Sequence, residues 1–311
     1  VSTIETKPYD GKHVTNTLAG LNVQNSIFLG LPITYKEKST LNEHLGILAD
    51  RRPEALAKPE ARFLCVGNGG HIVTATDNLA TPIPVKHNPT DAAPYNIIPL
   101  VLRPVDKDLG DDVRERYALR RIEEHGGRRY WAYYMKRLDF RGVRTMDYYT
   151  RIRDGQKSVR EFEYSDINLY PTPPASPDYD YEVDDKLAVS DGDYVHTSAE
   201  TTVPLDQFDI QELLNVATVL YGDPRKAVVS EFCLCTGIDT VATGESMVGS
   251  PFQYNEVIGA QVAVFLTTFT NVAYANRSLA YVLNIGQTEP MVLAAGQVPQ
   301  QTGSASGGTL L

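Results

Sequence analysis

The 311-residue chain is poor in the residues that most often carry chemistry: three cysteines, six histidines, four methionines and a single tryptophan. Three thiols cannot build a disulfide framework. Cys233 and Cys235 lie two apart in the strand-like run VVSEFCLCTGI and share one face, but no histidine is near in sequence to complete a zinc site. With Cys65 they are expected as buried thiols, in a protein made in a reducing compartment. No apolar run approaches the ~20 residues that cross a bilayer. The opening VSTIETKPYDGKH has no leader-like apolar core. A soluble protein with no membrane partner, made in a cytoplasm, is the expectation. A net charge of −10 disfavours general nucleic-acid affinity. With 42% hydrophobic residues the chain can still build one large domain or two ordinary ones.

Catalytic signatures are lacking too. Gly67-Asn68-Gly69-Gly70 follows a strand, where a phosphate-cradling loop would sit, but it has no Gly-Lys-Ser/Thr ending and reads as a turn. In Gly244-Glu245-Ser246-Met247-Val248-Gly249 the second glycine is one residue too far for a nucleophile elbow, and Ser-Pro follows instead of a helix. The histidines (His13, His44, His71, His87, His125, His196) are scattered without zinc-protease spacing. The acids around Asp191-Gly192-Asp193 lack an EF-hand register, so solvated carboxylates are expected there rather than calcium ligands. No cofactor, no metal and no catalytic residue is expected.

What the chain does have is charge sorted along its length. From Arg114 to Arg160, basic residues outnumber acidic ones by roughly two to one, with aromatics threaded among them. From Asp166 to Asp209 acids dominate, and Lys186 is the only Lys or Arg. Arg and Tyr are enriched where proteins bind one another. Arg128, Arg129, Tyr133, Arg137, Tyr149, Arg151 and Arg153 are therefore the candidate interface. Asp178, Asp180, Asp184 and Asp185, in the acidic segment of a second copy, are its candidate counterpart. The plainer alternative is a solvated sheet face whose arginines discourage edge aggregation.

Local patterns predict an α+β, β-dominated fold: an antiparallel meander and a C-terminal β-sandwich-like region, with a few short helices and extended arms. Residues 1–34 read as an arm, 35–170 as a mixed region with the basic meander, and 171–204 as a proline-rich and acidic linker. Residues 205–296 read as a β-rich region and 297–311 as a flexible tail. Ser39 or Thr40 caps a short helix, and Asp111 or Asp112 caps another that runs to about Glu124 and stops at Gly126-Gly127. Leu205 to Tyr221 forms a further helix, ended by Gly222. His71 to Ala75 is the expected return of the Phe63–Val66 strand, and the proline-rich Thr81–Pro104 is an extended connection. Tyr130–Leu138, Val143–Arg153 and Lys157–Tyr164 are expected as three sequential antiparallel strands, the last two joined at Asp154-Gly155. In the middle strand Met146, Tyr148, Thr150 and Ile152 share one face. Thr145, Asp147, Tyr149, Arg151 and Arg153 share the other, giving one buried and one charged, tyrosine-rich side. Strands are also expected over 227–235, 256–269, 279–285 and 291–293.

FLCVGNGGH running into PTDAAPYNIIPLVLRP, the YALRR…YYMKRLD block, the arm-like termini and the Val/Thr-rich C-terminal strands resemble virion structural proteins of contractile-tailed bacteriophages. Neck, connector and baseplate components are of this kind. The resemblance implies a non-enzymatic subunit of a symmetric ring or wedge, synthesised in a bacterial cytoplasm and incorporated into the virion. Its partners would be copies of itself and other virion proteins, with nucleic acid touched only from a connector position. A glycan or host-surface binding module using Trp131 and the tyrosines is one alternative, and a hydrolase acting through Ser246, Asp191 and Asp193 is another.

Overall fold

The computed structural model describes residues 12–76, 79–154, 156–171, 192–245, 251–274 and 278–291. The first half runs β1 (His13–Asn16), α1 (Leu18–Leu29), α2 (Leu41–Leu45), β2 (Glu60–Gly67), β3 (His71–Thr76), β4 (Leu79–Pro84), β5 (Ile97–Ile98), β6 (Val101–Pro104), α3 (Asp111–Arg114), β7 (Tyr117–His125) and β8 (Arg128–Arg137). It continues with β9 (Thr145–Arg153), β10 (Gln156–Glu161), α4 (Asp166–Leu169), β11 (Gly192–Leu205), α5 (Gln207–Tyr221), β12 (Val228–Glu245), β13 (Pro251–Asn271) and β14 (Leu279–Pro290). The fold is β-dominated α+β with antiparallel sheets and few, short helices.

Two compact units form, each from segments distant in sequence. The first takes Val1–Asp139 and Pro204–Leu279, the second Phe140–Val203 and Ala280–Leu311. In the first, an eight-stranded sheet runs β1-β13-β12-β2-β8-β6, with β5 added to β2 and β7 to β8. Its core gathers Leu41, Phe63, Leu102, Leu119, Met135, Val257 and Phe265 around the three thiols. Cys65 lies opposite Cys233 in the β2–β12 ladder, and its Sγ is 3.7 Å from that of Cys235. All three cysteines are free and buried, and burial pushes the Cys233 and Cys235 thiols well above their ordinary value. The second unit holds a four-stranded sheet, β10-β9-β11-β14.

Several local expectations hold for physical reasons. Thr40 caps α2 in a capping box with Glu43, and Gly46 closes it in the left-handed region. Asp206 caps α5, and Gly222 ends it. Strands β9 and β10 form the expected hairpin, with Arg153 opposite Gln156. Other expectations are corrected. The helix predicted over 111–124 is only one turn long. Gly126 and Gly127 both have positive φ and form the two-residue turn of the β7–β8 hairpin, closed by the His125–Arg128 pair. Residues 12–34 are not an extended arm, because Thr17 accepts from Gly20 N–H and starts a twelve-residue helix that ends at Gly30. β3 returns on β4, inside the proline-rich stretch, and not on β2. The three-stranded meander also splits: β8 joins β2, β6 and β7 in the first unit, while β9 joins β10 and β11 in the second. Burial in β9 falls on adjacent Tyr149 and Thr150, so its two faces do not separate as expected. Met291 lies outside the strands, and residues 292 and 293 lie outside the described residues.

Candidate functional site

The seven candidate interface residues fall into two groups. Arg128, Arg129, Tyr133 and Arg137 lie on β8, and Tyr149, Arg151 and Arg153 on β9. Most of these side chains are engaged within the chain. Tyr133 is fully buried and donates to Asp108 at 2.6 Å, which removes it from any surface. Arg137 bonds Asp239 at 2.7 Å and the carbonyls of Glu115 and Tyr117. Arg128 reaches Asp106 at 3.3 Å. Tyr149 is buried and accepts from Arg151 at 2.8 Å. Arg151 and Arg153 hold Asp193, its carboxyl 2.8 and 3.1 Å away. Burial alone would raise the Asp193 carboxyl, but the bonds from Arg151 and Tyr149 and the two positive charges outweigh it and hold it below the usual range. Asp193 faces Arg151 because β11 pairs with β9 in the same chain. Asp178, Asp180, Asp184 and Asp185 lie outside the described residues. Arg129 alone of the seven makes no ion pair or hydrogen bond among the described residues.

Three further carboxylates, none singled out from the sequence, organise the first unit. Glu231 on β12 is fully buried and accepts from Gly69 N–H at 2.8 Å and Tyr95 N–H at 2.7 Å, and it meets His87 Nε2 at 2.8 Å. The His87 ring is stacked between Tyr95 and Phe265, 4.0 and 3.8 Å away, and its Nδ1 meets Asp91 at 2.8 Å. A Cβ on Gly67 would strike the Glu231 carboxylate, and one on Gly70 would lie 2.5 Å from Glu231 Cγ. The glycine loop is thus an anion cradle, and the anion it holds is the chain's own. Asp209 at the start of α5 accepts from Tyr117 at 2.6 Å and from Lys136, which ties the helix to the β7–β8 hairpin. Glu256 on β13 accepts the N–H groups of Leu119, Arg120 and Val257. Leu119 has a positive φ of 52°. Burial keeps the Glu256 carboxyl above its ordinary range despite these donors.

Beside Glu256 lies a cavity of about 970 Å³, walled by Trp131, Ile122, Phe252, Tyr254, Val105 and Val241. The Arg120 guanidinium is packed against three of these rings, 4.7 Å from Trp131, 5.0 Å from Phe252 and 4.1 Å from Tyr254.

The other distinctive surface is helix α1. Val23 and Ser26 face inward, and a Cβ on Gly20 would come within 2.7 Å of the Ala263 carbonyl, so the helix lies tight on β13. Its outer side carries Leu18, Leu21, Ile27, Phe28 and Leu29, followed by Leu31, all exposed; Phe28 is 86% accessible. No Asp, Glu, Lys or Arg occurs from Leu18 to Tyr35.

Fold and site together define a β-dominated α+β protein in which most of the candidate interface arginines pair within the chain, and in which, among the described residues, helix α1 leaves apolar side chains exposed. The chain matches the Family of unknown function (DUF7208) over residues 4–300 and belongs to that family. No curated protein and no solved structure matches it.

Proposed function

We propose that the chain is a non-enzymatic structural subunit that assembles with copies of itself through helix α1. The setting we assign to it is the virion of a contractile-tailed bacteriophage, on the sequence resemblance alone. The observation that carries the assembly reading is the uncharged outer side of α1. Six apolar residues, Leu18, Leu21, Ile27, Phe28, Leu29 and Leu31, are exposed on this one short stretch, and clustered exposed apolar side chains mark protein–protein contact sites. Asn22, Gln24 and Asn25 are exposed among these apolar side chains without adding charge, and a second copy of the same helix supplies a like surface.

The paired arginines support this division of labour. Since Arg137, Arg151 and Arg153 are neutralised by Asp239 and Asp193 of the same chain, an apolar contact carries the affinity and rim charges tune register. Light scattering on the wild type at micromolar concentration is expected to give a closed oligomer, and Leu21→Asp/Phe28→Asp a folded monomer. A wild-type monomer, or an oligomer unmoved by the double substitution, refutes the proposal.

A further inference from the structure

The cavity at Arg120 has one unanswered group. The Arg120 side chain is 4% exposed, and its Nη1 is buried without a hydrogen-bond partner among the described residues. The nearest carboxylate, Asp108 Oδ2, is 3.8 Å away, while Asp108 Oδ1 already accepts from Tyr133 and the Leu109 N–H. Stacking on aromatic faces satisfies a guanidinium's π-system but leaves its in-plane N–H groups in need of an acceptor. A buried donor without one is costly. Arg129 lies on the same wall, exposed and without an ion pair among the described residues. The acids on the wall are Asp108, Asp111, Glu115 and Glu256, the last already taken up by the Leu119, Arg120 and Val257 N–H groups. Asp111 is bonded by Arg114, which leaves Glu115 as the one acid on the wall without a bond or ion pair from its side chain among the described residues.

We propose that this cavity receives an acidic, tyrosine-bearing stretch of a second copy, the run Asp178-Tyr179-Asp180-Tyr181-Glu182, seated on Arg120 and Arg129. The proposal rests on the reading of the chain as a self-assembling subunit and identifies a second contact for it. A carboxylate matches the fork of a guanidinium. A tyrosine ring fits a wall of Trp131, Phe252 and Tyr254, where its apolar body is covered and its hydroxyl still finds a polar partner. The charges on the wall discriminate as well: single carboxylates spaced along a peptide place one negative charge at Arg120. A phosphate would bring nearly two within reach of Asp108, Asp111 and Glu115. The alternation of acid and tyrosine in Asp178–Glu182 presents both features on one short segment.

Trp131 is the only tryptophan, so its emission reports on this cavity alone. The test titrates a synthetic peptide of residues 177–186 (PDYDYEVDDK) into the full-length protein, beside the same peptide with every acid amidated, and beside inorganic phosphate. The acidic peptide is expected to shift Trp131 emission saturably. The amidated peptide is expected to bind at least about tenfold more weakly, the size of one charge-assisted hydrogen bond. Arg129→Ala, an exposed position that leaves the fold intact, is expected to weaken the acidic peptide by a similar factor, and Arg129→Lys by less. The proposal is overturned by an absent shift, by equal response to both peptides, by an Arg129→Ala response equal to wild type, or by a shift with phosphate alone. Oligomer mass is measured in parallel. An oligomer that persists while the peptide fails removes this contact and leaves the α1 interface standing, and a monomer that still binds the acidic peptide does the reverse.

Discussion

Replacing Glu231 with alanine should destabilise the first unit more than any other single carboxylate substitution. The carboxylate is fully buried and answers three backbone N–H groups, Gly69, Tyr95 and Asn96, and the His87 ring. Alanine removes this partner from all four, in a site that Gly67 and Gly70 keep too tight to relax. Buried donors left unsatisfied cost ~1–3 kcal/mol each, so a combined loss of about 4 kcal/mol is expected. Glu231→Gln keeps one carbonyl acceptor and should lose about half as much. Urea unfolding followed by Trp131 emission reads this unit directly, and the midpoint should fall by more than about 1 M at unchanged slope. A double-mutant cycle with His87→Phe, which preserves the stack between Tyr95 and Phe265, should show coupling of at least ~1 kcal/mol. A loss below about 1 kcal/mol for Glu231→Ala would refute the view that this cradle holds the loop to the sheet.

Other consequences are open to simpler measurements. Gly70→Ala places a methyl group against Glu231 Cγ and the Ser230 carbonyl and should cost about 2–3 kcal/mol, read by thermal denaturation; a stability equal to wild type contradicts the close approach. The raised Glu256 carboxyl gives a pH dependence of definite sign. The folded state holds this proton more tightly than the unfolded one, so stability falls as pH rises from the unfolded value through the folded one, and Glu256→Gln should flatten that slope. Asp193 has the opposite sign. Its lowered carboxyl contributes stability above the unfolded value that is lost as pH falls through the folded one, and Asp193→Asn should abolish that acid-side loss in the second unit. Ellman's reagent should titrate no thiol in the native protein and all three in urea, since Cys65, Cys233 and Cys235 are buried; a thiol reactive in the folded state would show that the core opens.

What the sequence disclosed, and what it hid, follows from the range of the interactions involved. Helices α2 and α5 and the β9–β10 hairpin were legible because their signals are local: Thr40 with Glu43, Asp206 with Asp209, and the Asp154 turn. YALRRIEEH misled because helical spacing and strand alternation both fit it, and Gly126-Gly127 serves a helix end and a hairpin turn equally well. The split of the basic block was hidden because β8 pairs with β2, more than sixty residues earlier, and β9 with β11, across the acidic segment. For the candidate site, the sequence showed which arginines and tyrosines are abundant but not which acids answer them. Asp193 meets Arg151 and Arg153 only after that long-range pairing forms. Glu231 carried one available signal: an acid in an otherwise apolar strand, VVSEFCLC, is buried at a cost and needs partners. The uncharged stretch from Leu18 to Tyr35 was visible throughout, but reading it as an arm concealed that it is a helix with an uncovered side.

Self-assembly through α1 is tested most directly by hydrogen exchange over residues 18–31 at increasing protein concentration. Protection of these amides should rise with concentration in the wild type and stay flat in Leu21→Asp/Phe28→Asp. Exchange that is independent of concentration in both proteins would contradict the account.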